Sequence, residues 1–200
     1  MTPIYLWRLV VLFFLVIVSS AHLPAAEPIK ELRKTTEKII GIVNDPTLKS
    51  PDKAAERNRL IRDAVDERFD WEEMARRTLA RHWRKRSREE KKEFIYFFGK
   101  FLERNYLDKV EGYSDVKVIY DSERIVEGYG IGKVRIVTSR GREIPVLYRL
   151  IKKGEGWYVY DVDIEGISLI NNYRKQFNSI ILRSSFKDLV KKLKAKVLGG

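Results

Sequence analysis

From residue 116 to residue 164 apolar side chains recur at every second position, in runs separated by a few residues, and this pattern limits the possible folds most sharply. Val116, Val118 and Tyr120 share one side of a strand. Val134 and Ile136 oppose Lys133 and Arg135. Ile144, Val146, Tyr148 and Leu150 form the next apolar side, and Tyr158, Tyr160, Val162 and Ile164 line the last. Successive strand residues point to opposite faces, so each run describes a strand with one face buried. Arg140-Gly141 reads as one hairpin turn and Gly154-Glu155-Gly156 as another. Turns this short join antiparallel neighbours, whereas parallel strands need a long crossover. A meander with an apolar face must be covered, and helices are the available cover.

Both flanks carry helical spacing. Ile29, Leu32, Thr36, Ile39, Ile40 and Val43 make one stripe, stopped by Asn44-Asp45-Pro46. Ser50-Pro51 opens a second helix, with Ser50 as N-cap and Leu60, Ile61, Ala64 and Val65 as its buried face. Asp70-Trp71-Glu72-Glu73 is a capping box for a short third helix through Leu79, and Ser87-Arg88-Glu89-Glu90 is another. The helix it opens runs to about Val110, and its apolar residues, among them Phe94, Phe97, Phe98, Phe101, Tyr106 and Leu107, fill more than half the circumference. An ordinary surface helix has a narrower stripe, so this one must be contacted on two sides or face a cavity as well as a core. Beyond Gly166, Ile167, Ile170, Tyr173, Phe177, Ile180 and Ile181 form a further stripe. Ser185 then caps a last helix with Phe186, Leu189, Val190, Leu193 and Val197 inward. The expected organisation is α+β: a single domain over 27–200, with a helical front 28–110, a sheet 115–165 and a helical tail 167–198.

Residues 1–26 read as a secretory signal peptide: Arg8, an unbroken apolar run from Leu9 to Val18, then small residues at Ser19, Ser20, Ala21, Ala25 and Ala26. Cleavage after Ala21 or Ala26 fits equally. There is no Cys, which rules out a lipidated Cys anchor, disulfides and thiolate chemistry. Forty basic residues against 28 acidic give a net charge of +12; losing residues 1–26 removes Arg8 and no acid, leaving +11. That balance favours anionic partners, and export argues against nucleic acid. A heat-adapted surface would show the same mixture of Lys, Arg and Glu.

Few side chains offer chemistry. Asp161, Asp163 and Glu165 stand at i, i+2 and i+4, so all three can share one side of a strand. They read either as a metal or general acid/base cluster or as an ion-paired strand end. His82 is the one His beyond residue 26, and with no Cys it leaves a zinc site without ligands. No phosphate loop or dinucleotide fingerprint is present. Arg81, Arg84, Lys85, Arg86 and Arg88 cluster at a helix junction, suited to lipid phosphates or an acidic partner, or else a solvated face.

Two segments carry a family resemblance. One is Phe69-Asp70-Trp71-Glu72-Glu73-Met74-Ala75-Arg76-Arg77-Thr78-Leu79, then His82-Trp83-Arg84 and Phe94 through Tyr106. The other is Trp157-Tyr158-Val159-Tyr160-Asp161-Val162, then Ile164-Glu165-Gly166-Ile167-Ser168-Leu169 and Asn172-Tyr173-Arg174-Lys175-Gln176-Phe177. These resemble the MlaC family, also called the toluene-tolerance auxiliary family, over nearly the whole chain after residue 26. The pattern departs at Ala80-Arg81, where the family has Gly and a variable residue.

The resemblance implies a nuclear-transport-factor-like sheet covered by helices, with a lipid cavity between them. It also implies a non-enzymatic periplasmic phospholipid carrier, serving outer-membrane lipid asymmetry between an outer-membrane lipoprotein complex and an inner-membrane ABC transporter complex. A monomer without cofactor is expected. Each buried methylene is favourable by about 0.8 kcal/mol, so a chain of about sixteen carbons resists crossing water by roughly 12 kcal/mol. A carrier therefore needs an enclosed apolar pocket. Its expected lining is Phe97, Phe101, Tyr106, Val134, Ile136, Val146, Tyr148, Ile170, Tyr173 and Phe177. The basic cluster Arg81, Arg84, Lys85, Arg86 and Arg88 is expected at the pocket mouth, facing headgroup or partner. Competing readings are a small α+β enzyme with Asp161 or Asp163 as general base, a hopanoid-handling carrier of the same family, and a basic adaptor without a pocket.

Overall fold

The computed structural model describes residues 27–106 and 116–199. The expected signal segment lies outside the described residues, as do Leu107 and Val110 at the end of the expected fourth helix. The elements are α1 (Pro28–Asn44), α2 (Ala54–Asp66), α3 (Trp71–Leu79), α4 (Arg88–Tyr106), β1 (Lys117–Val126), β2 (Tyr129–Val137), β3 (Glu143–Lys153), β4 (Gly156–Ile164), β5 (Ile167–Ser168), α5 (Leu169–Arg183) and α6 (Phe186–Leu198). The class is α+β, as expected.

Four helices start where a short polar side chain meets free backbone N–H groups. Asp70 accepts from the Glu73 N–H at 3.0 Å, Ser168 from Asn171 at 3.1 Å and Ser185 from Asp188 at 3.0 Å. Ser87 forms the full reciprocal box, accepting from the Glu90 N–H at 3.2 Å while its own N–H donates to the Glu90 carboxylate at 2.8 Å. Each such cap stabilises by about 1 kcal/mol. Ser50 makes no such bond; a 3-10 turn at Pro51–Lys53 leads into α2 instead. The α1 N-terminus is served from the sheet, where the Glu123 carboxylate accepts from the Ile29 N–H at 2.9 Å. Ala80, at the end of α3, has φ +47° and ψ −119°. The family pattern has Gly here, and only Gly adopts these angles without strain.

The sheet is an antiparallel meander in the order β1-β2-β3-β4-β5. Gly141 and Gly154 turn at positive φ as the sequence predicts, and a further turn at Glu127-Gly128, with φ +49° and +78°, joins β1 to β2. Two bulges interrupt the ladders, one between Tyr120 and Ser122 and one opposite Arg149 and Leu150, where Tyr160 has no partner. One extra residue exchanges the faces of every residue beyond it. The alternation Tyr158, Tyr160, Val162, Ile164 is therefore not one face. Trp157 and Val159 are buried together with Val162 and pack beside Ile164. Tyr160 lies under the Arg77 guanidinium, 3.9 Å from its ring centroid. At the bulge the strand gains a second partner: Val159 donates to the Arg68 carbonyl and accepts from the Asp70 N–H, both at 2.9 Å.

Apolar burial divides into two cores. The helical core joins α3, α4, α5 and α6 through Leu79, Phe94, Phe98, Ile170, Phe177 and Leu189. Phe94 and Phe98 stack at 5.5 Å, and Phe98 meets Phe177 edge-on at 5.7 Å. Each buried Phe contributes about 1.5–3 kcal/mol. The sheet-side core joins α1 to the sheet through Leu32, Leu150, Trp157 and Val159. Gly130 allows the helix to approach: a Cβ there would lie 2.8 Å from Pro28 Cγ and 3.1 Å from Trp157 Cζ3. Arg68, buried, ties the same corner together by donating to the Thr35 hydroxyl at 3.1 Å and pairing with Glu31.

Candidate functional site: an apolar cavity between sheet and helices

The first half of α1 is pressed onto β2, and its second half lines a cavity of about 320 Å³. Thr36, Ile39, Ile40 and Val43 of α1 form one wall. Val65, Phe69, Trp71 and Met74, around the α2–α3 junction, form the next. Leu102, Glu103 and Tyr106 of α4 close the side. The sheet supplies Val118, Ile136, Ile144, Val146, Tyr148, Val162 and Ile164, with Val116 and Leu169 at its margins. The Tyr160 bulge is what returns Val162 and Ile164 to this face. The bridge from Val159 to the Arg68–Asp70 segment is what brings Phe69 to the cavity.

Nearly every polar group in this lining is already bonded. The Thr36 hydroxyl donates to the Leu32 carbonyl at 2.9 Å, and Trp71 Nε1 donates to Asp66 at 2.7 Å. Glu103 pairs with Arg62 and Lys100, each at 2.9 Å. The Tyr106 hydroxyl lies 3.4 Å from that of Tyr173, which spans from cavity wall to helical core. Burial pushes the Tyr148 hydroxyl up to about 12, so it stays protonated at ordinary pH. The site is an apolar container with no evident nucleophile.

The residues expected to line the pocket fall into two groups. Tyr106, Ile136, Val146 and Tyr148 line the cavity. Phe101, Ile170, Tyr173 and Phe177 are buried in the helical core, and Phe97 packs against that core. The apolar excess of α4 has two causes: α6, reached through pairs such as Phe94 with Phe186, and the cavity, walled by Leu102 and Tyr106. Val134 shares the cavity-facing side of β2 with Ile136 but is not among the lining residues. The walls not anticipated come chiefly from α1, whose stripe was visible in the sequence but carried no mark separating pocket from core.

The basic cluster is not at this cavity. Arg88 starts α4, and Leu102 lies fourteen residues further along, about 21 Å at 1.5 Å per residue. Arg81 donates to Asn178 of α5 at 3.0 Å. Arg86 pairs with Glu90 at 3.2 Å and caps the Phe186 ring at 4.6 Å. Arg84, Lys85 and Arg88 are exposed.

The three carboxylates do not converge as a cluster. Asp161, 4% exposed, accepts from the Ser168 hydroxyl at 2.7 Å, the Ile170 N–H at 3.1 Å and Arg149 at 3.0 Å. It fastens the start of α5 to β4. Asp163 stands 3.8 Å from Arg149, and Glu165 turns away at φ +52° to pair with Arg142 at 2.8 Å. Asp161 is thus committed to structure and not free to act as a base.

Comparison with known proteins accords with this geometry. The family model described as MlaC protein matches residues 33–195. The intermembrane phospholipid transport system binding protein MlaC of Haemophilus influenzae is 25% identical over 122 residues, 58% of this chain and 57% of that protein. The match thus spans little more than half of that relative's length. The solved structure of a phospholipid-binding protein from Ralstonia solanacearum, in complex with a phospholipid, shares the fold. Its TM-score is 0.77 at 21% identity, covering 87% of this chain and 98% of that one. The family match runs from within α1 into α6 and takes in every described element that walls the cavity, so this chain belongs to the MlaC family.

Proposed function

We propose that the chain is a periplasmic phospholipid carrier that holds acyl tails in the cavity between α1, α4 and the sheet. The observation that carries the reading is a preformed apolar space whose polar margins are mostly satisfied from within the protein. Such a space favours a hydrocarbon chain over water, at about 25 cal/mol for each Å² of apolar surface removed from solvent. Tyr106, Ile136, Val146 and Tyr148 contact the tails, together with Ile39, Ile40 and Val43 of α1. Phe101, Ile170, Tyr173 and Phe177 hold the helical wall in place from behind.

In this reading the protein is non-enzymatic. It moves lipid between an outer-membrane lipoprotein complex and an inner-membrane ABC transporter complex, after export by a cleaved signal peptide. Family membership supports these roles, as does the likeness to the intermembrane phospholipid transport protein of Haemophilus influenzae. The exposed cations Arg84, Lys85 and Arg88, at the far end of α4, face acidic partner surfaces, so docking and cargo occupy different parts of the molecule.

The test is organic extraction of protein purified from the cell envelope, followed by mass spectrometry. Diacyl phospholipid in stoichiometric amount is the expected result. A protein that is empty, or that turns over a polar substrate, would overturn the reading.

A further inference from the structure

Among the polar groups that line the cavity, the Tyr148 hydroxyl stands apart. It has no hydrogen bond to any described residue. Tyr148 is half-buried, and it borders the cavity. Tyr120 lies on the same inward face, because Tyr120 pairs with Val134 and Val134 with Val146, two residues before Tyr148. The Tyr120 hydroxyl is turned toward Thr36, whose oxygen gives its hydrogen to the Leu32 carbonyl and keeps lone pairs to accept, and Tyr120 itself does not line the cavity. Tyr148 is the polar side chain of the lining that is left without a bond, so its hydroxyl is open to a partner that arrives from outside the chain.

A bridging water is the simpler occupant, but a stable buried water needs two to four polar partners, and the other polar side chains of the lining are bonded within the protein. Ionisation is no escape either: burial raises both phenols, so both remain donors. The part of a diacyl lipid that leaves water has strong acceptors in one place, its ester carbonyls. An ether oxygen at the same position lacks the carbonyl dipole.

We propose that Tyr148 donates a hydrogen bond to an acyl-ester carbonyl of the bound lipid, so that the cavity selects ester-linked over ether-linked tails. The proposal rests on the phospholipid-carrier reading and adds the linkage that the cavity recognises. Tyr148 then acts as a specificity residue, and tail burial supplies most of the affinity.

The experiment loads the delipidated full chain from vesicles holding equal amounts of diester and diether phosphatidylethanolamine of the same chain length, and counts both bound lipids by mass spectrometry. Wild type should be enriched in the ester lipid about fivefold, the effect of one neutral hydrogen bond. Tyr148→Phe should bring the ratio to about one. Equal loading by wild type, or a preference that survives in Tyr148→Phe, would overturn the proposal. Should Tyr148→Phe not fold, the wild-type ratio alone decides. Loading of neither lipid by wild type would instead overturn the carrier reading on which the proposal stands.

Discussion

Asp161→Ala separates a structural carboxylate from a functional one. The side chain accepts three hydrogen bonds at a position 4% exposed, two of them from the first turn of α5 and its cap. Truncation leaves the Ile170 N–H without an acceptor at a residue 2% exposed, which costs about 1–3 kcal/mol. A negative charge is also lost from a helix N-terminus, at about 0.5 kcal/mol. The Ser168 hydroxyl can rotate to another acceptor. Arg149, with 31% of its side chain exposed, recovers hydration and contributes little. The expected loss is about 2–3 kcal/mol, or roughly 5–10 °C in Tm for a chain of this size. Urea unfolding and thermal melts read that loss, and organic extraction of the folded fraction reads the cargo. The carrier reading requires lower stability with unchanged lipid per folded molecule. A loss under about 1 kcal/mol together with loss of bound ligand would refute it and return Asp161 to the chemistry of a site.

Four other outcomes are expected. Ile136→Glu, by burying a charge in the cavity wall, should abolish co-purifying lipid, whereas Phe177→Ala should cost about 3–5 kcal/mol of stability and leave lipid per folded molecule unchanged; equal lipid loss in both would merge the two regions. Neutralising Arg81, Arg84, Lys85 and Arg88 together, sparing Arg86 because it holds Glu90 and Phe186, should slow transfer to acceptor membranes at low salt. That difference should fade as screening shortens to about 8 Å, and salt-independent slowing would point away from electrostatic docking. Burial opposes the charge on Glu73, but hydrogen bonds from Arg76 and Arg77 outweigh it and hold its carboxyl below the usual value. Its stabilisation is therefore present above the unfolded glutamate value of about 4.3 and lost as pH falls through the lower folded value, so Glu73→Gln should lose less stability than wild type between pH 7 and pH 3 in urea titrations. Ala80→Gly should raise stability by about 1 kcal/mol, since relief of strain at φ +47° exceeds the entropy that Gly adds to the unfolded chain; a lower urea midpoint would contradict this.

Period-two and helical spacing placed the elements in the sequence well, because both report burial of a face against whatever lies opposite. Neither reports what that opposite surface is. Phe101, Tyr173 and Phe177 meet one another, and Ile39 and Ile40 meet empty space, yet all sit on comparable stripes. The bulges escaped for a related reason. Trp157-Tyr158-Val159-Tyr160-Asp161-Val162 is apolar at nearly every position, so an inserted residue leaves no break in its alternation. Its register is set by Arg68 and Asp70, more than eighty residues earlier in the chain, which pair with Val159. The capping boxes were legible because their bonds close within three residues.

The two cores on either side of the cavity have a consequence for an empty molecule. A carrier spends part of every cycle without cargo, and its architecture must survive that interval. Here the interlocked aromatics of α4, α5 and α6 and the corner around Trp157 anchor the chain outside the cavity. On the carrier reading, delivery would remove neighbours from a few aliphatic walls and leave the framework assembled. A protein built this way would empty as a rigid flask does, without first coming apart.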